Sequence, residues 1–420
     1  MKAKGTWLLF LMMLIAAFLA FPANLKGEDL PEDSLHGEEL QGENQPEKNT
    51  TQEEIAEVKD EIKGLSETLS EIKTDVEKMK KIKISGYIQA QYENHQESEE
   101  GLDSKGKPAN YDNFLIRRGR VKVEFDATKK SKYVLQIDAA KDKVTLKDAY
   151  VELKAADYFK LTFGQFKWPF GYEILQSSSQ REMPERAKVI RELFPGERDR
   201  GIKFSGEIKK FDYQIGLFNG TGVEDKTFTW QDPDNNKDVV ARLGADFGKI
   251  RFGLSGYSGE ELVVGRAATP GSTTWYDADH DGSIDEGEYK TIDPKPATPD
   301  IEYDKERYGT DIQWYFEIPR AGGGTFKAEY IQGKNRGKDV EGWYALFVQN
   351  LGKRNAFAFR VDNWDPDTNL DDDELMTYIP AWLFYWDANL KLTFAYEMPR
   401  EKEGFKVDNN VFTFRIQYKF

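Results

Sequence analysis

The densest set of oxygen donors in the chain is one run, Asp277-Ala278-Asp279-His280-Asp281-Gly282-Ser283-Ile284-Asp285-Glu286-Gly287-Glu288. Asp at the first, third and fifth positions, Gly at the sixth, Asp at the ninth and Glu at the twelfth reproduce a calcium loop. The seventh position offers a backbone carbonyl. Asp277, Asp279, Asp281, Ser283, Asp285 and Glu288 are therefore the expected Ca²⁺ ligands. Every donor is a hard oxygen, which suits that ion. No helical pattern flanks the run, so it reads as an EF-hand-like loop and not an EF-hand pair. The plain alternative is an acidic, solvated turn.

A second set is basic. Segment 114–126, FLIRRGRVKVEFD, alternates so that Arg118, Arg120, Lys122 and Glu124 share one face while Val121, Val123 and Phe125 share the other. The same alternation turns Lys160, Lys203, Arg251, Arg360, Arg415 and Lys419 to the polar side. Further along, Arg181, Arg186, Lys188, Arg191, Arg198 and Arg200 are interleaved with Glu182, Glu185, Glu192, Glu197 and Asp199. The guanidinium fork matches carboxylate and phosphate oxygens, so Arg118, Arg120, Lys122, Arg181, Arg186, Arg191, Arg198 and Arg200 are candidate anion-binding groups. The interleaved acids could cancel much of that field. Catalysis has little to stand on: of His36, His95 and His280 only His95 is placed to act as a base, and no nucleophile motif such as G-x-S-x-G accompanies it. An enzyme is not expected, and nothing points to nucleic acid.

The elements that must hold these groups follow from patterning. The chain has 420 residues, mean hydropathy −0.70 and no cysteine, which excludes disulfides and thiol chemistry. Its one long apolar run, Trp7 to Pro22, follows Lys2 and Lys4, as in a secretory leader cleaved between Ala20 and Gly27 (residues 1–27). An uncleaved anchor helix is the alternative, but the run is shorter than the roughly 20 residues of a span. Residues 28–51 are polar and acidic and read as a flexible linker. In 52–82, Ile55, Val58, Ile62, Leu65, Leu69, Ile72, Val76 and Met79 form an a/d seam, expected to make a parallel coiled coil. A single amphipathic helix would need a broader apolar face.

From Lys83 to Phe420 the period drops to two. The last segment is the clearest: Phe412, Phe414, Ile416, Tyr418 and Phe420 alternate with Thr413, Arg415, Gln417 and Lys419. Twenty-seven Phe, 20 Tyr and 9 Trp in so polar a chain fit a lipid-facing belt better than a soluble core. With no second apolar run, a membrane can be crossed only by a closed barrel. Candidate strands begin near 84, 114, 132, 144, 158, 201, 211, 238, 249, 308, 324, 341, 355, 375, 388 and 412. Their connections alternate short and long, with long ones at 165–200, 259–305, 333–340 and 364–374 among others. The expected fold is an all-β transmembrane barrel of 16 antiparallel strands over 83–420, preceded by the helical coil.

The net charge of −15 is unevenly spread. Residues 1–82 hold 10 basic against 17 acidic groups, and segments 277–288 and 364–374 hold six acids each with no Lys or Arg. The remaining barrel leans slightly basic.

Segments 114–126 and 161–204, the latter with GQFKWPFG and LFPGER, resemble the phosphate-selective porin O and P family. The resemblance is strongest over 110–206. It implies passive diffusion of small hydrophilic solutes through the outer membrane, with loop 165–200 folded in as a constriction and a homotrimer as the assembly. A modest preference for anions, phosphate among them, is the expectation; the acidic outer loops depart from a basic phosphate funnel. The rival reading is a structural protein that tethers the envelope, reaching the cell wall through a periplasmic coiled coil.

Overall fold

The computed structural model describes residues 48–96, 112–140, 143–223, 232, 235–275, 289–371, 373–401 and 409–420. The calcium-type run 277–288 and the expected leader lie outside them. The heptad segment is a helix, α1 (Lys48–Lys80). Its seam residues, from Ile55 to Met79, are 43% to 69% exposed.

Alternation of branched or aromatic with polar residues then builds strands. They are β1 (Ile82–His95), β2 (Asn113–Thr128), β3 (Ser131–Asp138), β4 (Thr145–Ala156), β5 (Phe159–Lys167), β6 (Arg198–Ile208), β7 (Phe211–Phe218), β8 (Asp238–Asp246) and β9 (Ile250–Val263). A two-stranded ribbon, β10 (Ser272–Trp275) with β11 (Tyr289–Ile292), interrupts the series. It continues as β12 (Ile301–Ile318), β13 (Gly322–Asn335), β14 (Lys338–Leu351), β15 (Asn355–Asp365), β16 (Leu375–Tyr385), β17 (Leu390–Glu401) and β18 (Val411–Lys419). Outside the ribbon, which is its own antiparallel sheet, the strands pair antiparallel with their neighbours, and β1 pairs with β18 to close a 16-stranded barrel. Gly86 and Phe420 exchange backbone hydrogen bonds of 3.0 Å at that closure.

Three expected connections differ. The turn expected over 333–340 shrinks to Arg336 and Gly337, because both adopt positive φ (52° and 78°) and let the ladder run to Asn335↔Lys338. The expected loop 259–305 is shortened from both ends, since β9 and β12 stay in register out to Val263↔Ile301. The loop expected over 165–200 is residues 168–197, so Arg198 and Arg200 belong to β6.

Period two makes the barrel inside-out. Outward lie apolar side chains, including a registered row Phe357, Trp382, Phe394, Phe414, Tyr92 and Phe114 across β15 to β18, β1 and β2. Their rings touch, with centroids 5.2 Å apart for Trp382–Phe394 and 4.8 Å for Phe394–Phe414. Inward lie buried polar groups such as Gln89, Gln91, Arg118, Arg120, Arg360 and Arg415. The inner exception is an apolar cluster supplied by loop 168–197. Phe170, Ile174, Met183, Val189, Ile190, Leu193 and Phe194 are all at most 3% exposed and pack with wall residues including Tyr257, Ile331, Val340 and Tyr344. A short helix, α2 (Lys188–Leu193), presents three of them. The wall makes room with glycine: a Cβ on Gly342 would sit 2.8 Å from Val189, and one on Gly309 would sit 2.8 Å from the Phe170 ring. Burying each such side chain stabilises by about 1.5–3 kcal/mol, so apolar contact is what draws the loop onto the wall.

Candidate functional site

The charged interior is organised around one loop carboxylate. On β2 the register slips between Gln89↔Arg118 and Ala90↔Ile116, leaving Arg117 as the extra residue of a bulge. The bulge lets two consecutive arginines reach the same acid. Arg117 donates from Nε to Glu185 Oε1 and from Nη2 to Oε2, both at 2.9 Å. Arg118 donates to Glu185 Oε2 at 2.9 Å and to Gln89 Oε1 at 2.9 Å. Arg415, from β18, adds a third guanidinium at 2.9 Å and also donates to the Pro184 carbonyl at 2.6 Å. Burial alone would raise the Glu185 pKa, but the charges of Arg118, Arg117, Arg181 and Arg415 hold it well below the usual carboxylate range.

The other expected anion-binding groups are mostly matched as well. Arg120 donates to Asp138 at 2.8 Å and lies within 3.4 Å of Ser178 Oγ. Lys122 pairs with Glu124 at 3.0 Å. Arg186 pairs with Glu197 at 2.7 Å, while Arg198 grips Asp148 at 2.8 Å and 3.2 Å and reaches Glu197 at 3.3 Å. Burial would raise the pKa of Glu197, yet Arg186, Arg198 and Lys167 together keep it far below normal. Arg191 is half-exposed and faces Glu397 at 3.6 Å. Arg200 is half-buried at the start of β6. Arg181 stands apart: it is buried, its guanidinium finds no hydrogen-bond acceptor among the described residues, and its backbone carbonyl receives Lys391 at 2.8 Å.

These contacts map where the loop lies. Its residues touch Arg242 of β8 and Ser255 of β9 at Gly171, and Glu329 of β13 through the Glu173 N–H at 3.0 Å. They meet Arg307 of β12 at Leu193, Lys327 of β13 at Glu182 and Arg360 of β15 at the Glu185 carbonyl. Ser178 and Ser179 reach Gln89 of β1 and Gln417 of β18. The inner wall from β8 round through β18 to the start of β2 is thus occupied. Against β2 to β6 a cavity of about 300 Å³ remains. Five bases (Arg120, Lys122, Lys167, Arg198 and Lys203) and two acids (Asp148 and Glu152) line it.

Arg117 and the partner role of Glu185 are missed by strict alternation. The available signal was the adjacent pair Arg117-Arg118, which a strand with one apolar face can hold only through a bulge. Among the described residues no group of His, Asp and Glu is arranged to hold a metal ion.

The likeness to known proteins agrees with this architecture. Residues 82–232 match the family described as phosphate-selective porin O and P. No curated protein matches the chain significantly. Among solved structures, Pseudomonas putida OprB superposes with a TM-score of 0.56 at 11% identity, covering 83% of this chain and 96% of that one. The trimer form of the Vibrio cholerae outer-membrane protein OmpT gives 0.53 at 10%, covering 81% and 99%. An anion-selective porin from Comamonas acidovorans gives 0.51 at 11%, also covering 81% and 99%. At these identities the likeness is one of fold: the barrel is that of the outer-membrane porins.

Removing the shared carboxylate tests the anchoring. Glu185→Gln leaves buried guanidinium groups uncompensated, and is expected to cost about 3–5 kcal/mol of stability at pH 7, read as a lower melting temperature. The sign of the pH dependence follows from the depressed pKa. The Glu185 contribution is complete above its unfolded value of about 4.3 and is lost as pH falls through the folded one. The variant should therefore lose part of the parent's stability change below that pH. Equal melting temperatures at pH 7 would show that the arginines are held by other groups.

Proposed function

We propose that the chain is an outer-membrane porin through which small hydrophilic solutes diffuse passively, narrowed by loop 168–197. The observation that carries this reading is a closed 16-stranded barrel with polar groups inside and aromatic rows outside, whose loop covers one part of the inner wall and leaves another open. A barrel of this strand number holds water unless something fills it. Here the filling is partial.

The solute preference is proposed to be a modest one for anions. The open cavity's excess of bases supports it, since rings of Lys and Arg are how anion pores select. Most of the arginines are tied to carboxylates, which favours a weak field over a tight phosphate trap.

Two further parts belong to this proposal. The open seam of α1 supports self-association as a parallel coil, of three chains if the barrels trimerise, and such a coil gives the tethering role a physical basis. Segment 277–288 is proposed to bind Ca²⁺. The ladder of β10 and β11 pairs residue 275 with residue 289, the described residues on either side of that run.

Planar-bilayer recording in a KCl gradient should give stepwise conductance with a reversal potential displaced toward that of chloride; a cation-selective potential overturns the anion preference. Calorimetric titration should register Ca²⁺ uptake that disappears in the double variant Asp277→Ala, Glu288→Ala, and no uptake by the parent rules the site out. Deleting residues 28–82 is expected to leave conductance intact and to weaken the oligomer seen by light scattering. Loss of conductance would tie the helix to the pore, and an unchanged oligomer would remove the coil as its source.

A further inference from the structure

The cavities on the open wall follow one another. The 300 Å³ cavity lies against β2 to β6 at the level of the loop. A second, of about 450 Å³, is bounded by Lys160, Glu207, Lys209, Lys210 and Asp246 near the short turns of β4 to β8. A third, of about 150 Å³, is bounded by Lys129, Lys130 and Lys132 at the turn between β2 and β3. Glu152 of β4 borders all three.

Strand register explains that position. Asp126, Lys132, Glu152, Thr162 and Lys203 are successive partners across β2, β3, β4, β5 and β6. Thr162 is therefore the single residue between Glu152 and Lys203. Two strand spacings are about 10 Å, close to one screening length at 0.1 M salt, so the two charges act on the same water. Glu152 has no ion-pair partner among the described residues. Among the described residues Lys203 donates to the Gln214 amide oxygen at 3.1 Å, and it lies over the Phe166 ring. Lys167 spends its donors on the Leu175 and Gln176 carbonyls. Arg120, Lys122 and Arg198 are each matched by an acid. Among the described residues that line the 300 Å³ cavity, the charges without an ion pair are then Lys167 and Lys203 against Glu152.

We infer that solute passes down one side of the barrel, along β2 to β7, and that Glu152 sets how far this path prefers anions. This rests on the porin reading. The carboxylate borders all three cavities and opposes Lys167 and Lys203, which line the first with it, so it weakens their field along this wall. The arginines of β2 and the loop act differently, through ion pairs that fix where the loop lies.

Two measurements on the full-length barrel separate the path from the charge. The chain has no cysteine, so single cysteines report cleanly. A charged, membrane-impermeant thiol reagent should modify Glu152→Cys at least about tenfold faster than Ala358→Cys, whose position on β15 is fully buried under the loop cluster. Lys203→Cys is the second reporter if Glu152→Cys does not fold. Equal rates, or protection of the β4 and β6 positions, overturn the path. In bilayers Glu152→Gln should raise the chloride-to-potassium permeability ratio by about twofold or more, while Glu152→Asp stays near the parent. An unchanged ratio in the Gln variant overturns the role of Glu152. If the parent never conducts while the labelling contrast holds, the open wall stands and the porin reading fails.

Discussion

A single buried carboxylate ties together parts of the chain that are far apart in sequence. Glu185 receives Arg117 and Arg118 from β2 and Arg415 from β18, the last 230 positions away. Those strands flank β1, where the sheet closes on itself. The loop tip is thereby fixed at the seam of the barrel, and the rest of the loop must cross the lumen to reach it. A buried ion cluster of this kind adds little net stability, because desolvation offsets most of the attraction. What it does is fix register. One loop position, and no other, neutralises three inward guanidinium groups at once.

The favourable energy comes from the opposite end of the same loop. Phe170, Ile174, Val189, Ile190, Leu193 and Phe194 bury against Tyr257, Ile331, Val340 and Tyr344, and the glycines at 309 and 342 let them approach. Apolar packing thus selects the wall from β9 to β15, and the charged cluster selects the angle at which the loop returns. Both act on one side. On the β2 to β6 side the loop is held by polar contacts of Arg120, Lys167 and Arg198, and a cavity remains between them.

Much of this was readable in the chain because a half-buried strand has period two. The inward placement of Arg118, Arg120, Arg360 and Arg415 follows from alternation alone, as does the closing strand Val411–Lys419. Even the interleaving of loop acids with arginines was visible as possible cancellation. What alternation could not give was the partner. Glu197 does pair within the loop region, with Arg186 and Arg198, but Glu182 and Glu185 pair with Lys327 and with the β2 and β18 arginines. Such contacts depend on how a 16-membered ring closes, which no local pattern encodes. Arg117 was hidden for the opposite reason: one bulge shifts the period by a residue, and alternation assigns it to the wrong face. The β10–β11 ribbon is four residues a side, too short for its period to stand out from an acidic loop.

Charge that holds structure cannot also select solute with full strength. A guanidinium whose donors point at a carboxylate 2.9 Å away presents little net field a few ångströms further on, because the pair is nearly neutral at that range. Counting arginines in the sequence therefore overstates the attraction for anions. The field in the 300 Å³ cavity is set by the few groups left over once the ion pairs are removed, and those are two lysines and one glutamate. A lysine ammonium is a point charge and does not offer the bidentate geometry that singles out phosphate. An interior arranged this way favours small anions in general over any one of them.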